Sequence, residues 1–182
     1  MLKVTLVTGN PKPKSRTGKI AETFTRKLLG EVAMDLQVID LADHVAALFD
    51  WPSQPMADLN ARVAESHLAV FASPTYKASY TGLLKAFLDR YPANGLNNVV
   101  CIPFMTGADM GHSMAPTVNL VPLLLELGGI VPVKGLYFNT SQMDHADQFI
   151  DCSVEKTRHA LGAFARIHSE ISAGTSSGKG GA

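Results

Sequence analysis

Five short apolar runs alternate along this chain with longer segments that carry a helical period. The runs are continuous rather than alternating, which is typical of strands covered on both faces of a sheet. They span Lys3–Val7, Leu36–Asp40, Leu68–Ala72, Val99–Phe104 and Val131–Tyr137. The helical segments span Thr17–Leu29, Met56–Ser66, Gly82–Tyr91, Ser113–Leu127 and Ala146–Ile171. Strand and helix in alternation predict an α/β fold with a parallel sheet.

Five strands of this kind favour a doubly wound sheet in the flavodoxin-like order 2-1-3-4-5, with helices on both faces. The 182 residues fit one domain, which we place at residues 1–172. Residues 173–182 are rich in glycine and serine and predict a disordered tail. In such sheets ligands bind beyond the carboxyl ends of the strands, where the first and third strands lie side by side.

Three segments depart from the regular pattern, and each leaves two interpretations open. The stretch Ala42–Pro55 has no clear period and carries Phe49 and Trp51, so it packs either on a neighbouring subunit or back on its own domain. Pro122 interrupts the fourth helical pattern and predicts a kink, either simply tolerated or shaping a subunit interface. The last helix is either continuous or broken near Cys152.

Composition narrows the classes of partner and the compartment. Sixteen basic residues balance sixteen acidic ones, so the overall charge gives no support to a nucleic-acid partner. Charged residues make up 18% of the chain, below the usual ~25%, which favours a surface partly buried in a homo-oligomer. Cys101 and Cys152 form no C-x-x-C pair and predict a reducing, cytoplasmic location. No apolar run approaches the ~20 residues that span a bilayer, so we expect no membrane insertion.

The loop after the first predicted strand carries the clearest chemical signal. Residues 8–19 read T-G-N-P-K-P-K-S-R-T-G-K, with four cations and no acid before Glu22. The helix that follows offers unpaired N–H groups and the positive end of its dipole, and Ser15, Arg16 and Thr17 add two hydroxyls and a permanent charge. The loop therefore predicts a phosphate site, although an ordinary loop with solvated lysines gives a similar pattern. Neither G-x-G-x-x-G nor G-x-x-x-x-G-K-[ST] is present, which favours a mononucleotide.

Two further loops share the sheet edge with this one. The loop after the third strand covers residues 73–82, and the loop after the fourth covers residues 105–112. Both are rich in hydroxyls, glycine and backbone amides that can turn toward a planar ligand. The fold prediction therefore brings three polar loops to one place.

Two motifs resemble signatures of the NADPH-dependent FMN reductase family. Gly9-Asn10-Pro11 followed by Ser15-Arg16-Thr17 is similar to the phosphate loop G-S-P-x-x-x-S-R-[ST]. Residues 73–89, S-P-T-Y-K-A-S-Y-T-G-L-L-K-A-F-L-D, resemble the second signature, [ST]-P-x-Y-x-x-x-x-[ST]-G-x-L-K-x-x-L-D. The similarity runs from Lys3 to about Gly135. It is closest to the flavin reductases of two-component sulfonate monooxygenase systems.

The resemblance implies FMN binding, reduction of flavin by NADPH or NADH, and assembly into homodimers or homotetramers. The cofactor-binding residues that it implies are Ser15, Arg16 and Thr17 at the FMN phosphate, Pro74, Thr75 and Tyr76 beside the isoalloxazine, and Thr106, Gly107 and Ala108 at its pyrimidine edge. We also expect Lys77 to meet a phosphate of the incoming dinucleotide and His112 to stack on the nicotinamide or the flavin rim. Alternatively, Tyr76 packs on the helix from Gly82, and His112 is a polar residue at a helix start.

The chain departs from the family pattern at two places. Asn10 replaces the usual serine, and Ala108-Asp109 stands where relatives often keep a second glycine and an uncharged residue. An Asp109 side chain that pointed inward would disfavour negative charge on reduced flavin.

The chemistry that follows is a hydride transfer directly between cofactors, so no side chain is predicted to be catalytic. No metal is expected, because residues 144–147, D-H-A-D, suit a solvated helix cap better than a converging ligand set. The favoured function is an NAD(P)H:FMN oxidoreductase that supplies reduced flavin to a partner monooxygenase. The alternatives are an FMN-bound reductase of quinones, azo dyes or chromate, a flavodoxin-like electron carrier, and a non-catalytic phosphate-binding module.

Overall fold

The computed structural model describes residues 1–177 and places five strands in one sheet. The strands are β1 (Leu2–Thr8), β2 (Met34–Asp40), β3 (Leu68–Pro74), β4 (Val100–Gly107) and β5 (Leu136–Asn139). Their order is β2-β1-β3-β4-β5, and every neighbouring pair is parallel. The predicted flavodoxin-like strand order is therefore confirmed. All seven residues of the central strand β3 are buried, which explains why its sequence is apolar without alternation.

Helices cover both faces of the sheet, as predicted. They are α1 (Arg16–Leu29), α2 (Val45–Leu48), α3 (Gln54–Ala64), α4 (Gly82–Leu88), α5 (Val121–Glu126) and α6 (Ala146–Ser177). Phe24 of α1 and Ile150 of α6 belong to the buried cluster on one face. Phe87 of α4 and Leu124 of α5 belong to the cluster on the other face. Two apolar layers thus hold the sheet between them and leave its carboxyl edge for the loops.

The fifth strand is shorter and later than the sequence pattern predicts. The predicted boundaries Val131–Tyr137 are wrong, because the strand spans Leu136–Asn139. Pro132 has no N–H to donate to a strand ladder. Gly135 packs against Pro116 so closely that a Cβ on the glycine would lie 2.4 Å from the proline Cβ. The apolar residues before the strand, Val131 and Val133, pack instead against the buried clusters on the two faces of the sheet.

The predicted fourth helix is divided into short pieces. They are a 3₁₀ turn at Met110–His112, a π-helical turn at Pro116–Leu120, and then α5. The N–H of Val121 bonds to the carbonyl of Pro116, five residues back. Pro122 is the second residue of α5, which continues directly from this turn, and it has no N–H to donate to a preceding helical carbonyl. The irregularity predicted at Pro122 is this π-helical turn.

The segment after β2 folds largely onto its own domain. A 3₁₀ turn at Leu41–His44 leads into α2, and Leu48 is buried. The Arg90 guanidinium donates to the Leu48 carbonyl at 3.0 Å and lies 4.1 Å from the centroid of the Trp51 ring. Phe49 and Trp51 nevertheless remain about two-thirds exposed, at 67% and 66%.

The last helix is continuous through Cys152 and runs to Ser177. It therefore includes residues 173–177 of the predicted tail, whereas residues 178–182 lie outside the described part of the chain. Cys101 is fully buried in the core and Cys152 is exposed. From residue 1 to residue 177, no helix is both long and apolar enough to cross a membrane.

Candidate active site

The N-terminus of α1 opens onto the carboxyl edge of the sheet, beyond β1. Ser15 caps the helix, and its Oγ accepts a hydrogen bond from the N–H of Gly18 at 3.2 Å. The N–H groups of Arg16 and Thr17 stand in the first turn, where no intrahelical acceptor exists. Because Ser15 accepts through its oxygen, its hydroxyl proton stays available to a ligand. The local geometry thus offers several donors to one anion.

Asn10 orders the loop in front of this helix. Its Oδ1 accepts from the N–H of Lys12 at 2.9 Å, and its Nδ2 donates to Thr17 Oγ1 at 3.4 Å. Lys14 takes a left-handed conformation with φ of 53°, and its N–H donates to Asp40 Oδ2 at 3.0 Å. The asparagine that departs from the family pattern therefore has a structural role in shaping the loop.

A pair of threonine hydroxyls joins the first loop to the end of β4. Thr17 Oγ1 and Thr106 Oγ1 lie 2.7 Å apart, and both residues are 2% exposed. With its hydroxyl engaged in this way, Thr17 offers a phosphate mainly its backbone N–H. The Thr17 side chain thus also fixes the distance between the two loops.

The loop after β3 is held tightly on both sides. The N–H of Thr75 donates to the Thr106 carbonyl at 2.6 Å, and the Thr81 hydroxyl donates to the Gly9 carbonyl. Gly9 tolerates no side chain, because a Cβ there would lie 2.5 Å from Leu84 Cβ. This close approach explains why the first loop begins with glycine.

A tight turn follows, with Lys77 and Ala78 at its centre. Tyr76 and Ser79 exchange backbone hydrogen bonds, from N–H to carbonyl at 2.9 and 3.1 Å. Both central residues have positive φ, 52° and 65°, as a type I′ turn requires. Asn119 Nδ2 donates to the Ala78 carbonyl at 2.9 Å and supports this uncommon backbone. The turn leaves the Tyr76 ring 53% exposed at the cleft.

Tyr137 supports the loop after β4. Its hydroxyl donates to the Asp109 carbonyl at 2.6 Å. A Cβ on Gly107 would lie 2.0 Å from the same hydroxyl, so only glycine fits there. Burial, assisted by the Asp109 carboxylate, raises the pKa of Tyr137 above its ordinary value and keeps the phenol a donor. Thr140 adds a second support by donating to the Gly107 carbonyl at 3.1 Å.

The Asp109 carboxylate is used within its own loop. Its Oδ1 accepts from the N–H of Gly111 at 2.7 Å and caps the 3₁₀ turn Met110–His112. The residue does not belong to the lining of the cleft described below. The Asp109 carboxylate therefore caps its own turn and does not line the cleft.

The three loops enclose one cleft with a volume of about 400 Å³. Nine of the eleven predicted site residues line it, namely Ser15, Arg16, Thr17, Pro74, Thr75, Tyr76, Thr106, Gly107 and Ala108. Lys77 and His112 are not among the lining residues: Lys77 lies in the turn, and His112 is an exposed residue ending its 3₁₀ turn. The prediction did not include Asn10, Lys12, Lys14 and Thr140, which also line the cleft. Thr140 follows β5 and belongs to no motif that could have revealed it.

The lining residues fit FMN on structural grounds. Thr75 belongs to the wall of the cleft, where its Oγ1 is buried and meets no geometric hydrogen-bond partner within residues 1–177, while its hydroxyl opposes the rise in the pKa of the nearby Tyr137. Lys12, Lys14 and Arg16 make one end cationic, while backbone at Gly107 and Ala108 forms the other. Among the described residues, no group of three or more histidine, cysteine or acidic side chains gathers as a metal site.

A sequence model of NADPH-dependent FMN reductases matches residues 2–144. The chain belongs to this family. The predicted resemblance is confirmed, and with it the assignment as an oxidoreductase that uses FMN and NAD(P)H. When bound in such an enzyme, FMN supplies the ring that accepts hydride from the nicotinamide.

Several proteins similar to this FMN reductase family member cover most of its length. An FMN reductase (NADPH) of Pseudomonas putida is 27% identical, with 88% of this chain and 85% of that protein covered. An Escherichia coli FMN reductase (NADPH) is 30% identical, covering 81% and 80%. The NADH-dependent FMN reductase SfnF of Pseudomonas fluorescens is 29% identical, covering 89% and 88%. The crystal structure of the NADH:FMN oxidoreductase EMOB, in its apo form, has a TM-score of 0.77 at 27% identity, covering 88% and 90%.

Proposed function

We propose that this protein reduces FMN with NAD(P)H in the cleft between the three loops and releases the reduced flavin to a partner monooxygenase. The observation that carries the proposal is the meeting of nine predicted cofactor-binding residues, six of them from the two motifs, in one cleft with donors and cations at one end and backbone at the other. The cleft has the polarity that a flavin mononucleotide requires.

In this proposal Ser15, Arg16 and the first N–H groups of α1 hold the phosphate. Pro74, Thr75 and Tyr76 lie along the isoalloxazine. The backbone near Thr106, Gly107 and Ala108 faces the pyrimidine edge, where donors favour the charge that arrives with hydride. The side chains thus bind and orient, and none of them exchanges a proton with the nicotinamide.

Lys77 and His112 have a different place in the proposal. Neither lines the cleft, but Lys77 lies in the turn next to Tyr76, and His112 ends the 3₁₀ turn that Asp109 caps. We propose that Lys77 contacts a phosphate of the dinucleotide as it arrives and that His112 contacts its nicotinamide half. Both contacts depend on the second substrate, so neither residue is needed for FMN affinity.

Exchange of flavin with solvent is supported by the open side of the cleft. Tyr76 is 53% exposed and Ala108 is exposed, so the planar end is not enclosed. An open site suits a flavin that leaves after reduction to serve a second enzyme. The resemblance of both motifs to reductases of two-component sulfonate monooxygenase systems supports the same role.

We also propose that the protein acts as a homodimer or homotetramer in the cytoplasm. Large apolar side chains are exposed along one segment, namely Met110, Met114, Val118, Leu125 and Ile130. Apolar exposure of this extent favours burial against another subunit. Light scattering of the purified protein gives the subunit number, and a strict monomer at micromolar concentration would contradict the assembly.

The activity is tested by following NADPH and NADH oxidation with and without added FMN. We expect turnover that saturates with FMN, and faster product formation when a flavin-dependent monooxygenase and its substrate are present. No flavin-dependent oxidation of either nucleotide would contradict the reductase assignment. Equal turnover without free flavin, with a quinone as acceptor, would instead favour an enzyme that keeps its FMN bound.

A further inference from the structure

A second cleft opens between the end of β5 and the first turns of α6. Its volume is about 560 Å³, against about 400 Å³ for the first cleft, and the two share no lining residue. One wall is formed by the last residues of β5, Tyr137, Phe138 and Asn139. The other wall is one face of α6, which includes Ser153 and Lys156 at helical spacing. The proposed function assigns no ligand to this space.

Two polar side chains in these walls are buried, and each has a hydrogen-bond donor to spare. Asn139 is 9% exposed and Ser153 is 5% exposed. The Asn139 Oδ1 accepts from the N–H and the hydroxyl of Ser141, at 2.9 and 2.8 Å, which leaves its Nδ2 to donate elsewhere. Among the described residues, neither this Nδ2 nor the Ser153 hydroxyl forms a hydrogen bond. Because buried polar groups are nearly always bonded, two free donors in one cleft point to a ligand that carries acceptors.

The charge of the second cleft favours an anion. Lys156 lies exposed at its rim and forms no ion pair with any residue that the structure describes. No carboxylate belongs to the lining. The nearby acids of α6, Asp147 and Asp151, contact Lys27 instead, and the Asp109 carboxylate caps its own turn. An ammonium group close to two free donors therefore suits an acceptor that carries negative charge.

The apolar part of the lining favours a planar ring. Phe138 of β5 and Phe149 of α6 have ring centroids 5.1 Å apart, with their planes tilted by 54°. Phe149 is only half-buried, so part of its ring faces the open cleft. Tyr137 and the Met110 thioether complete this polarisable surface. Aromatic and thioether groups pack well against another aromatic ring, through its face or its edge.

We propose that the second cleft binds a small aromatic carboxylate. The ring packs against Phe138 and Phe149, and the carboxylate oxygens accept from Asn139 Nδ2, from the Ser153 hydroxyl and from Lys156. An aromatic alcohol lacks the charge that this site attracts, and an aliphatic carboxylate lacks the ring. The proposal does not rest on the proposed function, because none of these residues lines the first cleft.

The probe is 2-naphthoate, titrated by calorimetry into the protein in the presence of saturating FMN. We expect saturable binding to the second cleft. The matched controls are 2-naphthalenemethanol, which keeps the rings without the charge, and cyclohexanecarboxylate, which keeps the charge without an aromatic ring. Each control should bind about tenfold more weakly than 2-naphthoate. Absence of saturable 2-naphthoate binding, or equal affinity for all three compounds, overturns the proposal.

Cys152 shows whether the probe occupies this cleft. It lines the cleft and is exposed, whereas Cys101, the only other cysteine of the chain, is fully buried. Iodoacetamide, a small neutral reagent, should therefore alkylate Cys152 alone. We expect saturating 2-naphthoate to slow this reaction about fivefold, with half of the effect at the calorimetric Kd. An unchanged alkylation rate at saturation would place the probe elsewhere and overturn the proposal, whether or not FMN fills the first cleft.

Asn139→Asp exchanges the free donor for a negative charge. The new carboxylate still accepts from Ser141, so the melting temperature should be preserved, but it repels the probe and should abolish 2-naphthoate binding. Binding of 2-naphthoate by this variant as tight as by the parent protein overturns the proposal.

Two milder variants test the other contacts. Ser153→Ala breaks no hydrogen bond among the described residues, and Lys156→Gln removes one exposed charge. Each should bind 2-naphthoate about fivefold more weakly, with FMN affinity unchanged. The matched control is Lys134→Gln, which removes an exposed lysine outside the cleft and should leave 2-naphthoate affinity unchanged. Parent-like affinity in both Ser153→Ala and Lys156→Gln contradicts the proposed contacts and overturns the proposal.

Discussion

Single side chains at the cleft divide into those that face the ligand and those that hold the backbone. In the proposed function Ser15 and Arg16 present donors to the phosphate, whereas Asn10, Thr17 and Tyr137 form hydrogen bonds inside the protein. The two groups respond differently to substitution. Loss of a ligand contact changes affinity alone, and loss of a support changes affinity together with loop geometry.

Arg16→Ala tests the phosphate anchor. The guanidinium lies on the first turn of α1, exposed at the cleft, and contributes charge without taking part in hydride transfer. Solvent screening limits its effect, so we expect the Kd for FMN to rise about tenfold. Turnover at saturating FMN should change by much less. Fluorescence quenching gives the Kd, and an unchanged value would contradict the placement of the phosphate.

Tyr137→Phe tests the support of the loop after β4. The variant loses the bond from the phenol to the Asp109 carbonyl, which costs about 1 kcal/mol of stability. We expect weaker FMN binding and a more negative reduction potential of bound flavin, because the backbone at the pyrimidine edge loosens.

The matched control for this variant is Tyr91→Phe. Tyr91 is also buried and donates its hydroxyl to the Asn60 carbonyl at 3.3 Å, but it belongs to the core. This control should lose stability with the flavin potential unchanged. Equal potentials in both variants would show that Tyr137 has no influence on the flavin.

At the scale of elements, α1 serves both the core and the cleft. One face of the helix is buried in the core through Ile20, Phe24 and Leu28. The helix begins at the cleft, where Ser15 caps it. Its first turn contains no acid and its last turn contains Arg26 and Lys27. Without acidic side chains in its first turn, the helix loses some stabilisation of its macrodipole. The positive end of the dipole remains available to a bound anion.

Two substitutions of Ser15 separate the capping role from the binding role. Ser15→Ala removes the cap and should cost about 1 kcal/mol of stability together with some FMN affinity. Ser15→Asp keeps a good cap and should preserve the melting temperature, but its charge repels the phosphate and should abolish FMN binding. Thermal unfolding and FMN titration measure the two effects. Tight FMN binding by Ser15→Asp would place the phosphate elsewhere.

At the scale of the whole molecule, parallel strands determine where the chemistry collects. The carboxyl ends of β1, β3 and β4 lie side by side, so loops distant in sequence share one cleft. The same packing buries ionisable groups in the core. Burial raises the pKa of Cys101 to about 12 and also raises that of Tyr91.

These shifts predict loss of stability at alkaline pH. A buried acid with a raised pKa stabilises the fold below its unfolded pKa, 9.0 for the Cys101 thiol, and this contribution is lost as pH rises toward 12. We expect the midpoint of urea unfolding to fall between pH 7.5 and 10.5. In Cys101→Ala the midpoint of urea unfolding should be lower at pH 7.5 and should fall by less up to pH 10.5. In Cys152→Ala the midpoint should follow that of the parent protein at every pH.

Most of the architecture was predictable because it depends on local patterns. Continuous apolar runs identified β1 to β4, since a strand buried on both faces has no polar alternation. The predicted position of β5 is wrong because the residues before it are apolar for another reason: Val131 and Val133 pack against the core clusters on the two faces of the sheet. The apolar character of a segment shows that it is buried. It does not show whether the segment pairs with a strand or packs against other side chains.

The sequence by itself determined the fold class, the family and nine of the residues that line the cleft. Tertiary structure alone decided that Thr140 joins them, that Thr17 bonds to Thr106, and that the Asp109 carboxylate caps its own turn. A sequence motif identifies residues that lie close together along the chain. Hydrophobic periodicity indicates which face of a helix or strand is buried. Contacts between loops of different strands depend on how the strands are aligned, which no local pattern encodes.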